Sequence, residues 1–122
     1  MPKIIVVDDD KTSTSLFEQV FLMSKYEVIT LNDSAKTIET ATAAQPDLII
    51  LDLMMPEPDG FKVCRMLRAH PLFRHTPIII VTALNDLDSK LVAMGAGASD
   101  YLVKPFHIHQ LFTMIEKQLN KN

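Results

Sequence analysis

The chain holds a single cysteine, Cys64, which excludes an intramolecular disulfide and any cysteine-rich zinc site. No apolar stretch approaches the roughly 18 residues that a membrane span requires. Met1-Pro2-Lys3 leads into a short apolar run that is too brief for a signal peptide. The formal net charge is only −3, so nothing suggests general attraction to nucleic acid or to an anionic membrane. These absences set a cytoplasmic location as the expectation, with no direct nucleic-acid or membrane partner. Internal repeats, linkers and low-complexity segments are missing. So are a Walker-type loop, a Ser-His-Asp set and an aromatic-rich basic patch. Gly95-Ala96-Gly97 follows a helix and lacks the third glycine of a dinucleotide fingerprint. His70, His75, His107 and His109 form no metal-binding pattern and read as surface residues.

What is present fits one globular domain over residues 1–122. Hydrophobic residues make up 48% and charged residues 22% of the 122-residue chain, enough to bury a core without staples. Residues 4–7, Leu48–Leu51 and residues 78–81 are short aliphatic runs rich in β-branched side chains, which read as buried strands. Glu27–Leu31 and residues 101–103 are further strands with more polar character.

Helical patterns lie between them. Residues 12–24 carry Leu16, Phe17, Val20 and Met23 at helical spacing. Asp33 or Ser34 caps a helix reaching Ala44, with Ala35, Ile38 and Ala41 or Thr42 inward. Residues 59–69 place Val63, Cys64 and Leu67 on one face, with Arg68 at its margin. Leu87, Leu91 and Met94 mark a fourth helix, ended by Gly95. Ile108, Leu111, Phe112, Ile115 and Leu119 mark the most clearly amphipathic one.

Five strands alternating with five helices imply an α/β fold: a doubly wound parallel sheet covered on both faces. The purely aliphatic strands belong at its centre, so the expected order is 2-1-3-4-5, a flavodoxin-like arrangement. In such a sheet the ligand site lies beyond the strand carboxyl ends. The residues just past each strand are Asp8, Asp9 and Asp10; Asp52; Thr82 and Ala83; and Lys104 with Pro105. Two like charges about 4 Å apart repel by roughly 4 kcal/mol at an effective dielectric near 20. Asp8, Asp9 and Asp52 therefore need compensation. Lys104 supplies one charge, and a hard divalent cation such as Mg²⁺ supplies the rest. A carboxylate, a metal, a lysine and a hydroxyl together suit phosphoryl transfer.

Four separated segments carry a resemblance. Ile5-Val6-Val7-Asp8-Asp9-Asp10, Leu51-Asp52-Leu53-Met54-Met55-Pro56-Glu57-Pro58-Asp59-Gly60, Val81-Thr82-Ala83 and Asp100-Tyr101-Leu102-Val103-Lys104-Pro105-Phe106 resemble the response-regulator receiver family. The segment 70–77 and the run 95–100 are most similar to receivers found ahead of diguanylate cyclase domains.

The resemblance implies that Asp52 accepts a phosphoryl group from a sensor histidine kinase or histidine phosphotransfer protein. It implies that Asp9 binds Mg²⁺ directly, that Asp8 acts mainly through water, and that the metal also meets Asp52 and the Met54 backbone carbonyl. Lys104 would pair with the phosphoryl oxygens, and the Thr82 hydroxyl and Ala83 N–H would donate to them. Tyr101 would be the rotameric switch, turning inward on phosphorylation, and Lys104-Pro105 would be a cis peptide. The surface of the fourth helix, fifth strand and fifth helix would then change for an output domain, a partner protein or a phosphorylation-dependent homodimer. A stand-alone receiver and a piece of a longer regulator both fit the sequence.

Blander readings stand beside these. Asp10 is expected to flank a helix start, Asp59-Gly60 to form a turn and cap without chemistry, and Cys64 to be a small core residue. Two functional alternatives remain. One is a phosphohydrolase with an aspartyl nucleophile, which usually carries a second Asp two residues on as its acid. Here that position is Met54, which transfers no proton. The other is a degenerate receiver that serves only as a binding module.

Overall fold

Aliphatic runs that are buried on both faces can only be interior strands, and they set the sheet. The computed structural model describes residues 1–121. Its elements alternate strictly: β1 Lys3–Val7, α1 Lys11–Phe21, β2 Glu27–Leu31, α2 Thr37–Ala44, β3 Leu48–Leu51, α3 Gly60–Ala69, β4 Ile78–Thr82, α4 Leu87–Gly95, β5 Asp100–Val103 and α5 Ile108–Leu119. The five strands are parallel in the order β2-β1-β3-β4-β5, as expected. Every residue of β3 and β4 is buried, whereas no residue of β2 is fully buried. This is the difference between centre and edge that the polar content of β2 foretold.

Successive side chains along a strand face opposite ways, so one sheet builds two cores. Ile5, Val7, Ile49, Leu51, Ile78 and Ile80 pack with Ala41, Val63, Cys64, Leu67 and Ala93, from α2, α3 and α4. Ile4, Val6, Leu48, Ile50, Ile79 and Val81 pack with Phe17, Phe21, Leu111 and Ile115, from α1 and α5. Burial pushes the Cys64 thiol above its ordinary pKa against the weaker pull of Arg68 and Arg65; it is a core residue, as expected.

Four helices differ in part from the pattern. In α1 the buried residues are Thr14, Phe17 and Phe21, while Leu16 is 60% exposed. The helix ends at Phe21 rather than at residue 24, so Met23 lies beyond it, 93% exposed. The aromatic rings decide the face: Phe21 packs against Phe112 and Tyr26, and Phe17 against Phe106. Thr14 can be buried because its hydroxyl is hydrogen-bonded to Asn32 and to the Lys11 carbonyl.

The helix expected from residue 33 to Ala44 is divided, because Ser34–Lys36 forms a 3₁₀ turn before α2. Asp33 caps that turn as expected, but Ser34 is buried and donates to the Pro58 carbonyl at 2.7 Å, while Ala35 and Thr42 are exposed. In α4 only Ala93 is buried, and Leu87 and Leu91 are exposed. A small residue lets the helix approach the sheet, and the leucine stripe faces outward. Ile108, at the start of α5, is exposed as well.

Candidate functional site

Strand register brings the functional residues together. Val7 pairs with Leu51, and Thr82 with Val103. The ladder continues one residue further at each place: the Asp8 N–H donates to the Leu31 carbonyl, the Asp52 N–H to Val7 and the Lys104 N–H to Thr82, at 3.0, 3.0 and 2.8 Å. Asp8, Asp52 and Lys104 therefore start from fixed backbone positions on one rim of the sheet, although 96 residues separate Asp8 from Lys104.

Their side chains meet there. Lys104 Nζ donates to Asp8 Oδ2 at 2.8 Å and to Asp52 Oδ2 at 3.2 Å. Both carboxylates are buried, with Asp8 2% and Asp52 8% exposed. Asp52 Oδ1 accepts the Leu53 N–H at 2.6 Å and the Met54 N–H at 3.2 Å. Asp8 Oδ1 accepts the Asp10 N–H. Burial by itself would lower the Lys104 pKa. The hydrogen bond to Asp8 and the charges of Asp52 and Asp8 outweigh it, so the ammonium is held above the ordinary lysine value.

The other expected residues divide. Thr82 is buried at the end of β4, its hydroxyl 3.5 Å from the Leu84 N–H. Ala83 lies exposed on the same rim. The Lys104-Pro105 peptide is cis, as expected, and Glu57-Pro58 is cis as well. Tyr101 is already inward: it is buried, and its hydroxyl donates to the Leu84 carbonyl at 2.8 Å. Burial, then the charges of Asp86 and Asp52, push its phenol above the ordinary pKa. Asp10 caps α1 through the Thr12 N–H and Asp59 caps α3 through the Lys62 N–H, as expected. His75, His107 and His109 are surface residues. His70 is half-buried against Phe73, its Nδ1 accepting the Leu72 N–H, because it caps the 3₁₀ turn Pro71–Phe73.

Asp9 is exposed, and among the described residues no three His, Cys, Asp or Glu side chains converge on a metal position. The donor chemistry nevertheless fits Mg²⁺. Asp8, Asp9, Asp52 and the Met54 carbonyl offer only hard oxygens. The Asp8 and Asp52 carboxylates against the one Lys104 ammonium already leave one negative charge in excess, and Asp9 follows Asp8 in the chain.

Three residues that the sequence did not single out also build the site. Asn32 Nδ2 donates to the Asp8 carbonyl at 2.8 Å and to Thr14 Oγ1 at 3.0 Å, tying β2 and α1 to the acidic turn. Ser13 Oγ accepts from Lys104 Nζ at 3.2 Å. Gly60, read only as part of a turn, sits where a Cβ would overlap the Asp52 carbonyl oxygen and the Leu53 Cα. Its bare backbone lets α3 start against the peptide of Asp52. Beside Lys104 runs an apolar groove of about 610 Å³ lined by Leu16, Phe17, Val20, Pro105, Phe106 and Ile108, among others.

Residues 4–116 match the response regulator receiver domain family. The chain belongs to this family. The receiver is 36% identical over 121 residues to the DNA-binding dual master transcriptional regulator RpaA of Synechocystis, covering 99% of this chain and 50% of that protein. It is 39% identical over 113 residues to the response regulator PleD of Caulobacter vibrioides, covering 93% of this chain and 25% of that protein. The chain thus spans half the length or less of these curated relatives. Among solved structures, the receiver domain of the sensor histidine kinase PA1611 of Pseudomonas aeruginosa superposes with a TM-score of 0.90 at 27% identity, covering 98% of each chain. That structure has a magnesium ion coordinated in its active-site cleft.

If the oxygens around Asp9 hold Mg²⁺, the cation and the receiver's stability are linked. Mg²⁺ at 100 times its Kd is expected to add about 2.7 kcal/mol. Asp9→Asn is expected to stabilise the metal-free protein slightly, by easing repulsion, and to abolish the Mg²⁺ effect. Thermal melts with and without Mg²⁺ measure both; a full Mg²⁺ shift in Asp9→Asn would show that Asp9 is not a direct ligand.

Proposed function

We propose that this receiver is a phosphoacceptor switch that takes a phosphoryl group on Asp52 from a sensor histidine kinase or histidine phosphotransfer protein. The observation that carries this reading is the buried Asp52 carboxylate, held at the end of β3 and sharing one ammonium with Asp8. An oxygen of Asp52 bonds to phosphorus as the P–N bond to the donor imidazole breaks, the electron pair leaving with the imidazole nitrogen. Lys104 turns from the carboxylate to the phosphoryl oxygens, and the Thr82 hydroxyl and Ala83 N–H donate to the others. Asp9, Asp52 and the Met54 carbonyl would hold Mg²⁺ directly and Asp8 through water; the cation, when bound, neutralises phosphoryl charge. The apolar groove beside Lys104 offers a donor protein a seat next to the acceptor. Such a partner implies a cytoplasmic location, and among the described residues no helix is long and apolar enough to cross a membrane.

The output follows from Thr82 and Tyr101. Drawing Thr82 toward the phosphoryl group favours the inward Tyr101 already bonded to Leu84, and so biases one arrangement of α4, β5 and α5. The exposed Leu87, Leu91 and Val92 on α4 give that face an apolar surface for an output domain, a partner or a second copy. Met54, two residues past Asp52, disfavours the phosphohydrolase reading because it transfers no proton. Acetyl phosphate with Mg²⁺ tests the choice. Labelling should reach a plateau at a single phosphoryl group per chain, with no turnover of small phosphomonoesters. Sustained turnover would overturn the switch in favour of an enzyme, and absence of labelling would favour a binding module.

The lifetime of the phosphorylated state depends on water in line with the departing Asp52 oxygen. By analogy with other receivers, we place beside that path the side chains two residues past Asp52 and two past Thr82: Met54, 56% exposed, and Leu84, partly buried against the core. Neither orients water. A variant carrying Met54→Asn and Leu84→Glu is expected to lose its label about tenfold faster, the effect of one well-made hydrogen bond. Decay of purified labelled protein measures this, and equal rates would remove both residues from the account.

A further inference from the structure

An ammonium has three protons to place, and two carboxylates account for only two of those on Lys104. The third acceptor is Ser13 Oγ, 3.2 Å from Nζ. Ser13 stands in the first turn of α1, half-buried, beside Ala83 and Pro105 at the head of the apolar groove. A serine in a helix commonly turns its hydroxyl back to a carbonyl of the preceding turn. Thr14, the next residue, does so with the Lys11 carbonyl. Ser13 instead reaches across to a side chain 91 residues away, from a helix whose start is held by the Asp10 cap and whose face is anchored by the Phe17–Phe106 stack.

We propose that Ser13 is a positioning residue for phosphoryl transfer, its hydroxyl aiming the Lys104 ammonium between Asp8 and Asp52. This rests on Asp52 being the acceptor. Once Asp52 carries the phosphoryl group, negative charge moves outward from the carboxylate, and Lys104 exchanges its Asp52 contact for a phosphoryl oxygen. Asp8 and Ser13 are the two contacts that persist through that exchange. Asp8 pulls the ammonium with full charge. Ser13 directs it without adding charge, so it steers the lysine without strengthening its hold on the unphosphorylated site.

The test compares the parent, Ser13→Ala and Ser13→Thr, with acetyl phosphate as donor and saturating Mg²⁺. Loss of one hydrogen bond to the ammonium is expected to slow Asp52 labelling in Ser13→Ala by about three- to tenfold. Ser13→Thr, which keeps the hydroxyl, should label at close to the parent rate. The ¹⁵N resonance of the Lys104 ammonium should shift in the alanine variant and return in the threonine variant, while the Mg²⁺ midpoint stays at the parent value in both. Parent-like labelling and an unmoved Lys104 resonance in Ser13→Ala would overturn the role of Ser13. A loss that threonine does not restore would also overturn it, because the effect would then be one of packing. A parent that takes no label on Asp52 would overturn the acceptor assignment instead.

Discussion

Replacing Lys104 with alanine is expected to destabilise the metal-free receiver by about 3 kcal/mol, and Mg²⁺ is expected to return much of that loss. The cost arises from what is left behind. Asp8 and Asp52 are both buried and both bonded to Nζ, so removing the ammonium leaves two carboxylates with no cation. The figure sits at the low end of the range for a broken buried pair because the lysine side chain is itself 25% exposed. A fall of this size lowers the melting temperature by roughly 10 °C in a domain of this length. The same excess of negative charge should make Mg²⁺ a larger stabiliser of the variant than of the parent. Equal Mg²⁺ shifts in parent and variant would mean that the cation does not bind at these carboxylates.

Arg68→Ala is expected to cost as much or more, about 3 to 4 kcal/mol, with no recovery in Mg²⁺. Arg68 is also a partly buried cation, but all its partners are neutral. Nε donates to the Gly97 carbonyl at 2.8 Å, Nη1 to the Phe73 and Thr76 carbonyls at 2.6 and 2.7 Å, and Nη2 to Ser99 Oγ at 3.2 Å. These groups precede β4 and β5, so the guanidinium clamps the sheet at the end opposite the acidic rim. Gly97 is part of the clamp. Its φ is +112°, and a Cβ there would overlap the Arg68 side chain. Alanine leaves several carbonyls to find water or strain, while the carboxylate site stays intact. Melts of the two variants side by side separate the roles: Mg²⁺ rescues the lysine variant and leaves the arginine variant where it was.

The sheet was legible because its information is local. The aliphatic runs at Ile5, Ile49 and Ile79 mark interior strands, and Glu27 and Thr30 mark an edge. Once strand order is known, the strand ends come together, and with them Asp8, Asp52, Thr82 and Lys104. Helix faces were less legible because periodicity finds a stripe without saying what covers it. Of the stripe Leu16, Phe17, Val20 and Met23, only Phe17 and Val20 pack inward on α1. Phe21 and Thr14 complete the buried side, Thr14 because Asn32 meets its hydroxyl, while Leu16 is exposed and Met23 lies past the helix end. Leu87 and Leu91 made another stripe on α4, which Ala93 turns outward. Ser13 was hidden for a related reason. It lies among the hydroxyl residues Thr12, Ser13, Thr14 and Ser15, and nothing local distinguishes the one that reaches Lys104. Asp59-Gly60 reads as a turn and cap; Asp59 does cap, but Gly60 is the first residue of α3, and its closeness to the Asp52 peptide is a tertiary fact.

The most direct test of the account is to locate the phosphoryl group. The full chain is labelled with acetyl phosphate and Mg²⁺, trapped with borohydride, digested and read by mass spectrometry. The account predicts modification at Asp52 alone and none in Asp52→Asn; a label on another residue, or an undiminished yield in Asp52→Asn, would contradict it.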